Sequence, residues 1–298
     1  MTPPRVAQPA IPFLRGVSEL SQRYDGFLLD LWGVVHDGIR PYPGAVACMT
    51  ALKARAKRVV LLSNAPRRAA AIEAAMTAMG VPSTAYDHVL SSGELAWQAL
   101  RERRDPWHGA LGRRCLHLGP ERDKGLLEGL ALDEVGDAEG ADFVLNTGID
   151  RDEETVADYE ATLARAASCR LPMLCANPDL EVMRGGRRVI CAGALARHYE
   201  GLGGAVAYHG KPYPAAYRSA LDLLGIDDRA RIVAIGDSVR TDVAGAAQAG
   251  LDAVLVTGGI HSHELGLPPG RENDPALVLA ACRCAGHVPS ALLRAFVW

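Results

Sequence analysis

Three short apolar runs in this chain each end on a residue suited to chemistry rather than to packing. Gly26 to Leu31 carries Asp30-Leu31-Trp32-Gly33 at its end, and Arg58 to Leu62 leads into Ser63-Asn64. Arg231 to Ile235 leads into Gly236-Asp237-Ser238-Val239-Arg240-Thr241-Asp242. Short apolar runs bounded by turn residues are the pattern of strands buried on both faces. A further run spans Asp252 to Val256. Alanine-rich helical stretches lie between, at Arg67 to Met79, Ala215 to Leu224 and Val243 to Ala249, with Gly80, Gly225 and Gly250 placed where those helices should stop. Strand then helix, repeated, predicts an α/β fold with a parallel sheet and helices on both of its faces. In such sheets ligands bind outside the carboxyl ends of the strands. Asp30, Ser63 and Asp237 therefore converge on one crevice.

The chain has 298 residues, enough for about two domains. Further strand signals at Cys115 to Leu118, Phe143 to Thr147, Pro172 to Ala176 and Val189 to Cys191, with a helical stretch at Glu153 to Ala167, point to an α/β insert. The expected division is a first core part at 1–85, an insert at 86–195 and a second core part at 196–298. A net charge of −3, without long runs of one sign, argues against nucleic acid or an anionic membrane as partner. Seven scattered cysteines without a CxxC pair suit a reducing, cytoplasmic compartment. No stretch reads as a signal peptide or a membrane span. Homo-oligomer formation is left open.

Each motif has a chemical and a structural reading. Asp30, at the end of a buried strand, is a nucleophile able to form an aspartyl-phosphate or a carboxylate that caps a turn. Gly33 would let backbone N–H groups approach an anion. Ser63-Asn64 offers a hydroxyl and an amide to phosphate oxygens at an expected helix N-terminus, or a plain helix cap. Lys211, in Gly210-Lys211-Pro212, could neutralise both nucleophile and phosphoryl oxygens, or be a solvated lysine. It is not a P-loop lysine, because Pro212 replaces the Ser or Thr and no glycine stands at the required spacing. Asp237 and Asp242, five residues apart, suit a hard cation such as Mg²⁺. Asp237 would bind directly, and Asp242 through water or by orienting other groups. The order of the four motifs is what raises the chemical reading above the structural one.

Weaker signals stand beside these. Gly201 to Gly204 does not complete a dinucleotide fingerprint and reads as a loop. His261 and His263 lack a third ligand and read as surface residues, and Cys282-x-Cys284 is too little for zinc. His36-Asp37 follows the first motif and is a secondary catalytic candidate.

In this combination the chain resembles the haloacid dehalogenase-like superfamily of hydrolases, subclass IIA, the NagD-like and pyridoxal-phosphate-phosphatase-like group. The resemblance also takes in Ala176-Asn177-Pro178-Asp179 and Ile190 to Leu195. It implies a Rossmann-like parallel-sheet core with an inserted α/β cap, and a Mg²⁺-dependent phosphohydrolase acting on a small phosphorylated metabolite such as a sugar phosphate. By that similarity Asp30 would be the nucleophile, and Asp237 and the backbone carbonyl of Trp32 metal ligands. Ser63, Asn64, Ala65 and Lys211 would hold the phosphoryl group, and the loop around Asn177 and Asp179 would face the substrate.

One departure matters. Phosphatases of the family usually carry a second Asp two residues after the nucleophile, as proton donor to the leaving oxygen. Trp32 stands there. General acid–base catalysis typically contributes about 10²–10⁴-fold. A replacement acid could come from His36, Asp37 or the cap. The leaving group could instead need little protonation, or the protein could bind a phosphorylated ligand without turning it over. An aspartate-phosphorylated receiver module is disfavoured by the length and the insert. Phosphonate cleavage finds no Schiff-base lysine signalled in the cap.

Overall fold

The computed structural model describes residues 11–184, 187–258 and 274–298. His261 and His263 lie outside the described residues. The strands are β1 (Phe13–Leu14), β2 (Gly26–Leu29), β3 (Arg58–Ser63), β4 (His88–Ser91), β5 (Arg114–Leu118), β6 (Asp133–Val135), β7 (Phe143–Asn146), β8 (Met173–Cys175), β9 (Glu181–Arg184), β10 (Arg187–Ile190), β11 (Val206–Tyr208), β12 (Ile232–Gly236), β13 (Asp252–Val256) and β14 (Ala291–Leu293). Seven of them form one sheet in the order β1-β14-β13-β12-β2-β3-β4, parallel throughout.

Alternate side chains of this sheet feed two apolar layers. Phe27, Leu29, Leu61 and Ile235 point to one side, where they meet Met49 and Leu52 of helix α1 (Ala45–Ala54) and Met76 of α2 (Ala69–Ala78). Leu28, Val60, Leu62 and Ala234 point to the other, against partners that include Tyr217 and Leu224. With both faces covered, the central strands have no polar alternation to show. That is why their sequence reads as unbroken apolar runs.

A second parallel sheet, β11-β8-β7-β5-β6, stands apart from the first. It is also sandwiched. Helix α3 (Ser92–Glu102) supplies Ala96, Trp97 and Leu100 to one face. Leu163, in α5 (Glu160–Ser168; α4 is the single turn Pro106–Gly109), and Leu195 and Tyr199, in α6 (Ala192–Gly201), cover the other. The strands β9 and β10 form an antiparallel pair belonging to neither sheet. The second core part contributes α7 (Pro214–Leu224), α8 (Ala244–Gln248) and α9 (Pro275–Cys284).

The strands do not change sheet at residues 86 and 195. β4 pairs with β3 in the first sheet, with Val60 opposite His88, so that sheet continues past residue 86. β11 pairs with β8, with Val206 opposite Met173, so the second sheet continues past residue 195. Both strands have only three or four residues. Gly80, Gly225 and Gly250 all follow helix ends at positive φ, as a left-handed stop requires. No helix among the described residues is long and apolar enough to cross a membrane.

Candidate active site

The strands β12, β2 and β3 are neighbours, and their carboxyl ends carry Asp237, Asp30 and Ser63. The Asp30 N–H donates to the carbonyl of Ile235 at 2.9 Å, which ties the end of β2 to that of β12. One carboxylate oxygen of each of Asp30, Asp237 and Asp242 falls within 4.8 Å of the others. Gly33, at φ +83°, closes under them: a Cβ there would sit 1.7 Å from Asp237 Oδ2. Only glycine tolerates both that φ and that approach.

Lys211 is 2% exposed, and its Nζ lies 2.7 Å from Asp30 Oδ1 and 2.7 Å from Asp242 Oδ1. Burial alone would lower its pKa, but Asp242 and Asp30 outweigh burial and hold the ammonium above its usual range. Burial pushes the Asp30 carboxyl up. Lys211 opposes this, while Asp242 and Asp237 add repulsion. Three clustered carboxylates against one ammonium leave excess negative charge, and a hard-oxygen donor set of this kind fits a divalent cation. Asp242 has an orienting geometry: Oδ1 takes the Lys211 bond and Oδ2 accepts the Ser238 N–H at 3.1 Å.

Ser63 and Asn64 are buried, but not at a helix N-terminus. Helix α2 begins at Ala69, and the Ala69 N–H is taken by Glu94 Oε2 at 3.0 Å. The expected dipole contribution at Ser63-Asn64 is thus absent, because the turn through Pro66 and Arg67 sets the helix five residues further on. The Ser63 hydroxyl accepts the Ala65 N–H at 3.2 Å. The Asn64 amide is used within the protein. Its Oδ1 accepts the Lys211 N–H at 2.7 Å, and its Nδ2 donates to the Lys211 carbonyl and to Asp179 Oδ1, both at 3.0 Å. Asn177 Oδ1 in turn accepts the Asp179 N–H at 3.0 Å. The predicted residues of core and insert thereby meet at Asn64.

A crevice of about 210 Å³ runs from Asp30 outward between the two sheets' units. Asp30, Trp32, Ser63, Asn64, Ala65, Asn177, Asp179, Lys211 and Asp237 all line it. Asp37 does not. Its carboxylate accepts the Ile39 and Arg40 N–H groups, and these backbone bonds hold it below its usual range. His36 does line the crevice, but burial pushes its pKa down to about 4 and Nδ1 accepts the Gly38 N–H at 3.0 Å. A neutral imidazole and a capped carboxylate are poor substitutes for a proton donor.

Sequence reasoning missed a half-buried ion pair on the crevice wall, Arg67 Nε to the buried Asp123 Oδ1 at 3.0 Å. Burial raises the Asp123 carboxyl and Arg67 opposes it. It also missed Arg184, paired with Asp152 at 2.6 Å. No local signal marks either, because the partners are 56 and 32 residues apart.

Together, parallel-strand ends, a carboxylate cluster with a buried lysine, and a roofed crevice define an α/β protein whose site fits a divalent cation beside an open crevice. Comparison with known proteins narrows this class. A haloacid dehalogenase-like hydrolase family model matches residues 27–133, and a HAD-hydrolase-like model matches 208–280. A haloacid dehalogenase-like hydrolase from Brucella suis 1330 is 37% identical, with 96% of this chain and 100% of that one covered and a TM-score of 0.81. The D-glycerol 3-phosphate phosphatase of Mycobacterium tuberculosis is 29% identical over 251 residues, which are 83% of this chain and 66% of that protein. The structure of the M. tuberculosis glycerol phosphate phosphatase in complex with magnesium is 25% identical, covering 84% and 74% of the two chains, with a TM-score of 0.62. The chain belongs to the haloacid dehalogenase-like hydrolases, in their NagD-like branch, subclass IIA.

Proposed function

We propose that the chain is a Mg²⁺-dependent phosphatase of a small phosphorylated metabolite, working through an aspartyl-phosphate on Asp30. The observation that carries this is the Asp30–Lys211–Asp242 bridge beside Asp237, at the mouth of a crevice floored by parallel-strand ends. The named phosphatases among the relatives support the reaction class, and the magnesium complex supports the ion.

Asp237, Asp30 and the Trp32 carbonyl would hold Mg²⁺, with Asp242 orienting Lys211. When bound there, the ion supplies positive charge to the phosphoryl oxygens. The remaining steps belong to the chain's own groups. An Asp30 carboxylate oxygen attacks phosphorus in line, and the ester P–O bond breaks with its electron pair going to the leaving oxygen. Lys211, kept charged by its two carboxylate neighbours, offsets the negative charge on the phosphoryl group. Ser63, Asn64 and Ala65 would hold the phosphoryl group, with Asn64 acting by fixing Lys211 in place. Asn177 and Asp179 would face the leaving group. Water then cleaves the aspartyl-phosphate and frees Asp30. We place the enzyme in a reducing compartment, the cytoplasm. Seven scattered cysteines with no CxxC pair support this.

One observation favours a second reading, ligand binding without turnover: no titratable side chain occupies position 32. Phosphate release from a panel of phosphate esters with Mg²⁺ separates the two. Turnover should appear, and Asp30→Asn should lower it by about 10³-fold or more. Tight binding of an ester with no phosphate released would establish the second reading instead.

A further inference from the structure

Trp32 is held by contacts that have nothing to do with proton transfer. Its indole N–H donates to the Met183 carbonyl at 3.2 Å, across 151 residues of chain. The Arg184 guanidinium lies 5.8 Å above its ring. The His36 imidazole meets it edge-on at 5.7 Å. Beneath it Gly38, at φ +87°, leaves no room for a side chain, since a Cβ would come within 2.2 Å of the ring. The ring is therefore wedged between a core loop and strand β9.

The pair β9–β10 needs such support. A two-stranded ladder is marginal in water on its own, and this one joins neither sheet. Val189 is buried in the insert's apolar layer, with Val182 and Ile190 packed beside it. The same strands give Val182, Arg184 and Ile190 to the crevice lining, so the ladder roofs the site. It is closed at its base by the Cys191 N–H to the Leu180 carbonyl at 2.9 Å. Its far end is held by Trp32 from the core and by the Arg184–Asp152 pair from the insert. An ionised aspartate at position 32 could donate nothing to the Met183 carbonyl and would offer Arg184 no aromatic face.

We propose that Trp32 is a positioning residue: it clasps the β9–β10 ladder over the crevice, and the clasp sets the size of leaving group admitted. Only the second half rests on the phosphatase reading. Both parts of the clasp are side-chain properties, the indole donor and the ring face, and are separate from any role of the Trp32 carbonyl.

The first test needs no catalysis. Backbone amide exchange is measured over 181–184 and 187–190 in the full chain, with strand β2 as an internal control for folding. Trp32→Phe keeps a ring but loses the donor, and it should speed exchange of the ladder amides about 3–10-fold while β2 stays protected. Arg184→Met, which loses both the Trp32 ring contact and the Asp152 pair, should loosen the same amides more than Asp152→Asn, which loses the pair alone, and that comparison carries the test if the Phe variant does not fold. Ladder exchange unchanged in both variants would overturn the clasp. The second test compares a small alkyl phosphate with a bulky alkyl phosphate, two esters whose leaving groups have like acidity. Loosening the ladder should narrow the preference between them through KM for the bulky ester. A looser ladder with the same size preference would overturn the specificity half. Absence of phosphate release by any form would sink the phosphatase reading and leave the exchange result standing.

Discussion

At the scale of single residues, the site is decided by what each side chain has no freedom to do. Lys211 has two carboxylates at 2.7 Å and is 2% exposed, so it has no solvated alternative. Asn64 has both ends of its amide engaged by Lys211 and Asp179. Trp32 has its only donor on Met183. With no proton donor at 32, turnover should depend steeply on the leaving group. 4-Nitrophenyl phosphate should be cleaved about 10²-fold or more faster than an alkyl phosphate under the same conditions. Trp32→Asp should narrow that gap by raising the alkyl rate, measured as kcat/KM for both esters. A gap that stays unchanged would mean that another group already delivers the proton. Asp30, Lys211, Asp237 and Asp242 could be named from the sequence because each sits within a short motif. The Arg67–Asp123 pair could not, because its partners come together only through the fold.

At the scale of elements, the readable strands are those buried on both faces. β2, β3, β12 and β13 came out within two residues of the apolar runs that predicted them. The polar or very short strands β6, β9, β11 and β14 carry too little pattern for a period of two to register. Ser63 and Asn64 are good caps in isolation, yet α2 starts at Ala69, where Glu94, from another element, accepts the first N–H. The junction after β11 carries a titration of its own. The His209 ring nitrogen Nε2 faces His108 Nε2 at 3.0 Å, and Asp105 accepts from His108 Nδ1 at 2.6 Å. Burial, reinforced by His108, lowers the His209 pKa from 6.5 to about 4. A depressed folded-state pKa gives stability that is complete above the unfolded value and lost as pH falls through the folded one. Unfolding free energy should therefore drop between pH 6.5 and about 4, by up to roughly 3 kcal/mol from this group. Urea midpoints at pH 7 and pH 4.5 should differ less in His209→Gln than in the parent chain. Equal differences in the two proteins would refute the assignment.

At the scale of the molecule, the parallel order β12-β2-β3 is what brings residues 30, 63 and 237 to one edge. That much was legible, because strand–helix alternation fixes where strands end even when it leaves their neighbours open. The places where the chain passes between sheets were not legible, since β4 and β11 are defined by their partners rather than by composition. A cation shared by distant parts of the chain should make folding and binding interdependent. Mg²⁺ at about 100 times its Kd should stabilise the native state by about 2.7 kcal/mol, which appears as a melting temperature several degrees higher. Asp237→Asn should abolish that rise without abolishing folding. A full rise in the variant would place the ion elsewhere.

Lys211 stands only three residues after the insert's edge strand, whose last residue is Tyr208. A rocking motion of the roof would tug directly on the ammonium that neighbours Asp30, were it not for Asn64, whose amide grips the Lys211 backbone on both sides. That grip works like a ship's bollard. Were the upper storey to swing, the charge beneath would stay moored, and a chain that slackens at residue 64 would let it drift off station.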